Sequence, residues 1–161
     1  MALTASIDRP ILTTGQNIGF KKLKMVGATA AGAAYTVYQG AILMCDVSVA
    51  DGYFRNMVAS ATTAAAAGDI FGGVAAEKQV IGAGDTANGA KEITAIRNGV
   101  VAFPKGALAL TDIGAPVYAS DDGTVTTTDT NNLWIGYIED VDDTYVYVNI
   151  AAAFLRANAA T

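Results

Sequence analysis

Residues 115–128 (APVYASDDGTVTTT) and 133–150 (LWIGYIEDVDDTYVYVNI) decide the fold. Each holds runs rich in Val, Ile, Thr and Tyr around a polar turn. Asp122-Gly123 between two such runs is the strongest hairpin signal in the chain, because Asp-Gly accepts the positive φ angles of a tight turn. Residues 140–143 play the same part in the second stretch. After them, Thr144, Val146, Val148 and Ile150 share one strand face, and Tyr145, Tyr147 and Asn149 share the other. Both faces carry bulk, so neither is expected to be wholly solvated.

The pattern extends upstream. Residues 68–110 (GDIFGGVAAEKQVIGAGDTANGAKEITAIRNGVVAFPKGALAL) string short β-type runs between glycine turns. Asn98-Gly99 reads either as a type I′ hairpin or as a glycine bulge in one long strand. Pro104, which lacks an N–H, belongs at a strand end or edge. Residues 35–38, 41–50, 53–58 and 71–77 read as further strands, the glycines of the last pointing to a bulge or close packing. Ala41, Leu43, Cys45, Val47 and Val49 share one parity, which makes Cys45 a small buried hydrophobe. The alanine-rich residues 60–67 suit a loop, a hairpin tip or one or two helical turns. The reading is an all-β chain, a small β-barrel or sandwich with an extended N-terminal arm. Residues 1–34 are expected to be the arm and a small-residue linker. Residues 35–151 form the β-domain. Residues 152–161 are a tail that adds a short helix or frays.

Hydrophobic residues make up 52% of the 161 and charged residues only 16%. A lone monomer normally covers itself with more charge, so part of the outside is expected to face other protein. The net charge of −5 argues against general nucleic-acid binding. The distribution says more. Residues 1–25 hold Arg9, Lys21, Lys22 and Lys24 against Asp8 alone, net +3; residues 106–155 hold eight carboxylates and no Lys or Arg, net −8. Such a leader suits an acidic partner, including a second copy, or else solvated loops.

Residues 1–25 show no sustained period, and Pro10, Gly15 and Gly19 oppose a helix. They are too apolar for a disordered tail, with Ile7, Ile11, Leu12, Ile18, Phe20 and Leu23 present. An arm that becomes ordered against something fits both facts, whether on its own domain or on a neighbour. The start lacks the layout of a signal peptide, and no run approaches the roughly 18 apolar residues of a membrane span.

The chain has no histidine and one cysteine. Serine or cysteine nucleophiles lack the usual base, and zinc lacks its ligands. Gly82-Ala83-Gly84 has no following helix or Lys-Ser/Thr pair, so it is not a phosphate loop. Asp121, Asp122, Asp140, Asp142 and Asp143 fall in expected turns, where Asp is favoured for turn geometry. No catalytic, cofactor or metal residues are assigned. Trp134, Tyr137, Tyr145 and Tyr147 cluster in the last hairpin, as a contact surface or as core.

The order of motifs resembles the capsid decoration, or cement, proteins of tailed bacteriophages. The similar elements are Gly40-Ala41, Gly68-Asp69, Gly73-Val74-Ala75, the run from Gly99 to Pro104, Gly114-Ala115-Pro116-Val117-Tyr118, Asp122-Gly123 and Ile135-Gly136. The resemblance implies a small β-domain, often a homotrimer, seated on the outer surface of assembled major capsid protein and stiffening the shell. It implies a virion protein made in the host cytoplasm, with no catalytic residues and no direct nucleic-acid or membrane partner. The candidate capsid- or subunit-contacting residues are Arg9, Ile11, Leu12, Ile18, Phe20, Lys21, Lys22, Lys24, Trp134, Tyr145 and Tyr147. On this reading residues 1–20 are separable from the fold and carry binding. A receptor- or glycan-binding β-module of a phage tail or surface structure, using Trp134 and the tyrosines, is the alternative.

Overall fold

The computed structural model describes residues 2–7, 9, 11–12, 19–57 and 69–157, the side chains of 11, 12 and 155–157 excepted. Of the described residues 42% lie in strands and 11% in helices, in three sheets without a closed barrel among them. In chain order the strands are β1 (Ile11–Leu12), β2 (Phe20–Lys24), β3 (Tyr35–Val37), β4 (Ile42–Cys45), β5 (Arg55–Asn56), β6 (Ile70–Ala75) and β7 (Gln79–Ile81). They continue with β8 (Glu92–Ile96), β9 (Val100–Pro104), β10 (Pro116–Ala119), β11 (Val125–Thr126), β12 (Leu133–Val141) and β13 (Tyr145–Asn149). The helices are α1 (Ala28–Ala31), α2 (Val47–Ala50) and α3 (Ala151–Ala157).

A six-stranded sheet runs β1-β9-β13-β12-β10-β11, a five-stranded sheet β2-β8-β6-β4-β5, and β3 pairs with β7. Neighbouring strands are antiparallel. The sheets stack around two cores. In the first, Phe103, Val117, Ile135, Val146 and Val148 of the six-stranded sheet meet Ile42, Met44, Phe71, Val74 and Ile96 of the five-stranded sheet. In the second, Leu23, Leu43, Ile93 and Ala95 from the other face of the five-stranded sheet meet Val37 and Ile81 of β3 and β7. The five-stranded sheet is therefore a middle layer. Each fully buried aliphatic side chain contributes roughly 1.5–3 kcal/mol of transfer free energy.

The hairpins expected at Asp122-Gly123 and at residues 140–143 are present as β10–β11 and β12–β13. The bulge expected among the glycines of β6 shows as a register shift against Leu43 and Met44. Pro104 ends β9, and Cys45 is buried.

Asn98-Gly99 is neither hairpin nor bulge. β8 lies in the five-stranded sheet and β9 in the six-stranded one, so the pair is the corner at which the chain changes sheets. Gly99 makes that corner with φ +115°, where a side chain would be strained. The strand expected over 41–50 stops at Cys45. Asp46 accepts a hydrogen bond from the Ser48 N–H at 3.0 Å and caps α2, so the parity expected to continue through Val47 and Val49 ends there. Of the strand expected over 53–58, β5 keeps Arg55 and Asn56 among the described residues, and Val58 lies outside them. The alanine-rich residues 60–67 lie outside the described residues.

The expected arm and linker also require correction. β2 is a full member of the five-stranded sheet, in register with β8 from Phe20↔Ile96 to Lys24↔Glu92. Residues 26–34 contain α1, and Val26 and Ala28 are buried. The tail adds the short helix, one of its two expected outcomes, and Phe154 of α3 stacks on Phe71, ring centroids 5.2 Å apart.

Gly136 has φ +151°, and a Cβ there would sit 2.2 Å from the Asn149 carbonyl oxygen. The strained conformation alone costs roughly 1–3 kcal/mol for a residue with a side chain. Gly136→Ala is expected to lower the urea-unfolding free energy by at least about 2 kcal/mol. Gly84→Ala, where a Cβ meets nothing within 4 Å, is expected to stay within about 0.5 kcal/mol of the parent.

Candidate interaction surfaces

The N-terminal segment is built into the fold by two buried ionic side chains. Arg9 is 7% exposed. Its Nε donates to the Gly40 carbonyl at 2.6 Å, and its Nη1 donates to the Ala102 carbonyl at 3.3 Å. Its Cζ lies 4.3 Å from the centroid of the Phe103 ring, within cation–π range. One guanidinium thus joins Gly40, two residues before β4, to the strand β9. Burial pushes its pKa down to about 10, against the pull of Asp122 and Asp121, so it stays charged at neutral pH. Arg9, expected at a contact surface, is instead an internal tie.

Asp122 is the second tie. Its Oδ1 accepts the Leu3 N–H at 2.7 Å and its Oδ2 accepts the Asn56 Nδ2 at 3.0 Å. Its own carbonyl accepts the Ile42 N–H at 2.8 Å. Burial pushes its carboxyl above the ordinary value, opposed by those donors and by Arg9. Its neighbour Asp121 does the turn work, accepting from the N–H groups of Gly123 and Thr124 at 2.8 and 2.7 Å. Residues 1–20 are thus not separable from the fold: they supply the Arg9 tie, the Leu3 bond to Asp122 and β1.

Four candidates lie together on β2. Phe20 is 60% exposed, and Lys21, Lys22 and Lys24 are all exposed. β2 is the outer strand of its sheet. Ile11 and Leu12 form β1, paired with Val101 and Val100 at the edge of the other sheet. Ile18 lies outside the described residues.

Trp134, Tyr145 and Tyr147 lie on the outer face of the six-stranded sheet, each half-buried. The alternation of β13 puts Val146 and Val148 in the first core and turns the tyrosines out. Trp134 packs against that core and meets Tyr137 edge-to-face, centroids 5.6 Å apart. Tyr118 is paired directly across from Trp134, and Pro116 across from Tyr137. Tyr137 is 39% exposed; Leu110 and Ile113, in the turn that packs beside β12, are 67% and 47% exposed. This apolar patch is one candidate surface.

The other end of the same sheet is acidic. Glu139, Asp140, Asp142 and Asp143 are exposed around the β12–β13 turn. Asp142 builds that turn. It accepts from the N–H groups of Thr144 and Tyr145 at 2.7 and 2.6 Å and from the Tyr147 hydroxyl at 2.8 Å. These donors, the Tyr145 N–H first, hold its carboxyl below the ordinary value of 3.8. Among the described residues no group of three or more His, Cys, Asp or Glu is placed to hold a metal ion. Burial pushes the Cys45 thiol up, away from the thiolate that nucleophilic chemistry needs.

Sequence reasoning missed the exposed Leu110 and Ile113 and the internal roles of Arg9 and Asp122. The Asp-Asp-Gly turn carried a partial signal: a β-turn needs one Asp, which leaves the second to be explained.

A carboxyl held below its ordinary value stabilises the fold above the unfolded pKa and loses that contribution as pH falls through the folded one. Asp142→Asn is therefore expected to be less stable than the parent at pH 7, with the gap closing as pH drops below 3.8. Chemical denaturation at pH 7 and pH 3 checks this, and an equal gap at both would contradict the assignment.

Comparison with family models, with curated proteins and with solved structures finds no match to this chain.

Proposed function

We propose that this chain is a structural virion protein that binds the outer surface of an assembled capsid shell and stabilises it. The observation that carries this reading is the apolar surface of half-buried Trp134 and exposed Tyr137, with Leu110 and Ile113 exposed in the turn beside β12, on a sheet backed by the first core. Contiguous exposed apolar surface marks contact sites, and aromatic residues dominate the energy of such contacts. The low share of charged residues supports the same reading. So does the resemblance of motif order to the phage decoration proteins. Stabilisation would come from burying this patch across a junction between major capsid subunits. No catalytic step is assigned to the chain.

A second reading draws on the same rings. The edge-to-face pair of Trp134 and Tyr137 lies near Glu139, whose Oε2 accepts from the Asn149 Nδ2 at 3.0 Å. Aromatic faces beside amide and carboxylate groups suit a glycan, which makes a receptor-binding module the competing function.

The experiment is co-sedimentation of the purified protein with expanded, undecorated phage shells, unexpanded shells serving as control. The expected result is saturable binding to expanded shells at a fixed ratio to the capsid subunit. Trp134→Ala and Tyr137→Ala are each expected to weaken it by about tenfold or more, with unchanged urea midpoints for any variant scored. Absence of binding by the folded parent protein overturns the proposal. Glycan-array binding abolished by Trp134→Ala would establish the second reading instead.

A further inference from the structure

The open edge of the five-stranded sheet offers a surface that the shell-binding patch does not use. The Arg97 N–H donates to the Gly19 carbonyl at 2.8 Å and the Met25 N–H to the Lys91 carbonyl at 2.9 Å. These two bonds bracket the β2–β8 ladder and set its phase. Lys21 and Leu23 direct their backbone groups to β8; Phe20, Lys22 and Lys24 direct theirs outward. Lys24 obeys this phase, since its carbonyl accepts the Phe54 N–H at 2.9 Å on the outer side. Among the described residues nothing pairs with the outward groups of Phe20 and Lys22. Beside them opens a cleft of 190 Å³, lined by Phe20, Val74, Ile96 and Arg9 among others.

Lys21, Lys22 and Lys24 decide what this edge can accept. None of the three is in an ion pair with a described residue. The carboxylates nearby are Glu92, opposite Lys24, and Glu77, whose Oε1 accepts the Thr94 N–H at 2.7 Å. Two such edges cannot pair with each other, because lysine would face lysine. Contact between like copies through this edge then seats it on a different surface of the next copy. The complementary surface is on the same chain. Residues 106–155 carry eight carboxylates and no Lys or Arg. Four of the eight, Glu139, Asp140, Asp142 and Asp143, are exposed at the tip of the β12–β13 hairpin in the other large sheet; Lys105, whose N–H donates to the Thr144 carbonyl at 3.0 Å, is the one cation beside them among the described residues, so the tip stays acidic. Tyr145 and Tyr147 stand beside them, rings 6.4 Å apart, as apolar seating for Phe20.

We infer that copies of this chain associate head to tail, the lysine edge at β2 of one copy seated on the acidic tip of the β12–β13 hairpin of the next. Such contacts close into a ring where the rotation permits. The inference rests on edge geometry and charge, not on capsid binding, so its test needs no shell.

Sedimentation velocity of the full chain across protein and NaCl concentration is the experiment. The parent is expected to self-associate, and more weakly as salt rises. Lys21→Glu/Lys22→Glu/Lys24→Glu is expected to weaken association by about tenfold or more, and so is Asp140→Lys/Asp143→Lys. Asp142 is left intact because it builds the turn. The variant carrying both sets, with the two charges exchanged, is expected to regain association, which a merely misfolded surface would not do. Zero-length lysine–carboxylate crosslinking of the parent, with a mixture of isotopically light and heavy chains, is expected to join Lys21, Lys22 or Lys24 of one copy to the hairpin carboxylates of another. A parent that stays monomeric, single-set variants that associate as the parent does, or intermolecular crosslinks that avoid these residues would each overturn the inference.

Discussion

The structure depends on one layer being buried on both faces. All four residues of β4 are buried; Ile42 and Met44 point into one core, and Leu43 into the other. β6 and β8 divide their side chains in the same way. A strand in that position has no solvated face on which to carry charge, which is why AILMC reads as an unbroken apolar run. Two outer layers must then cover the middle one. The six-stranded sheet does so on one side, and β3, β7 and α1 on the other. Close approach of backbone to backbone follows, and Gly99 stands where the chain passes from the middle layer to the outer one.

Two ionic side chains enter this stack and find partners at particular points. Arg9 reaches between the sheets and ends on two carbonyls and an aromatic ring. Asp122 collects an N-terminal N–H and the Asn56 amide. Burying an ion is costly unless its partners are in place, so these two residues hold the first residues of the chain in one position. The order of the edges follows from that: β1 on one sheet and β2 on the other, joined by the segment between them.

What is left exposed is divided by chemistry. One end of the six-stranded sheet is apolar, around Trp134 and Tyr137. Its other end is acidic, around Asp140 and Asp143. The open edge of the middle layer is basic, around Lys22. Three surfaces of different character on one small chain suit a protein that meets more than one neighbour, since complementary charge sets which surface meets which, while aromatic patches supply the energy of contact.

The sequence by itself determined the β class, the hairpins at Asp122-Gly123 and residues 140–143, the end of β9 at Pro104, the burial of Cys45 and the shared strand face of Tyr145 and Tyr147. Each rests on local chemistry: turn geometry, a missing N–H, or a two-residue period along a strand. The basic edge was legible as composition, since Lys21, Lys22 and Lys24 stand together. Only the tertiary structure decided that Asn98-Gly99 turns the chain from one sheet to another, because a glycine turn has the same local signature whether its strands pair with each other or with distant partners. Only it decided that β2 joins a sheet, that Arg9 lies inside, and that Asp122 serves the core while Asp121 serves the turn. Those outcomes depend on which strands lie side by side, and strand pairing is a long-range choice made by the fit of whole faces, which no short window of residues contains.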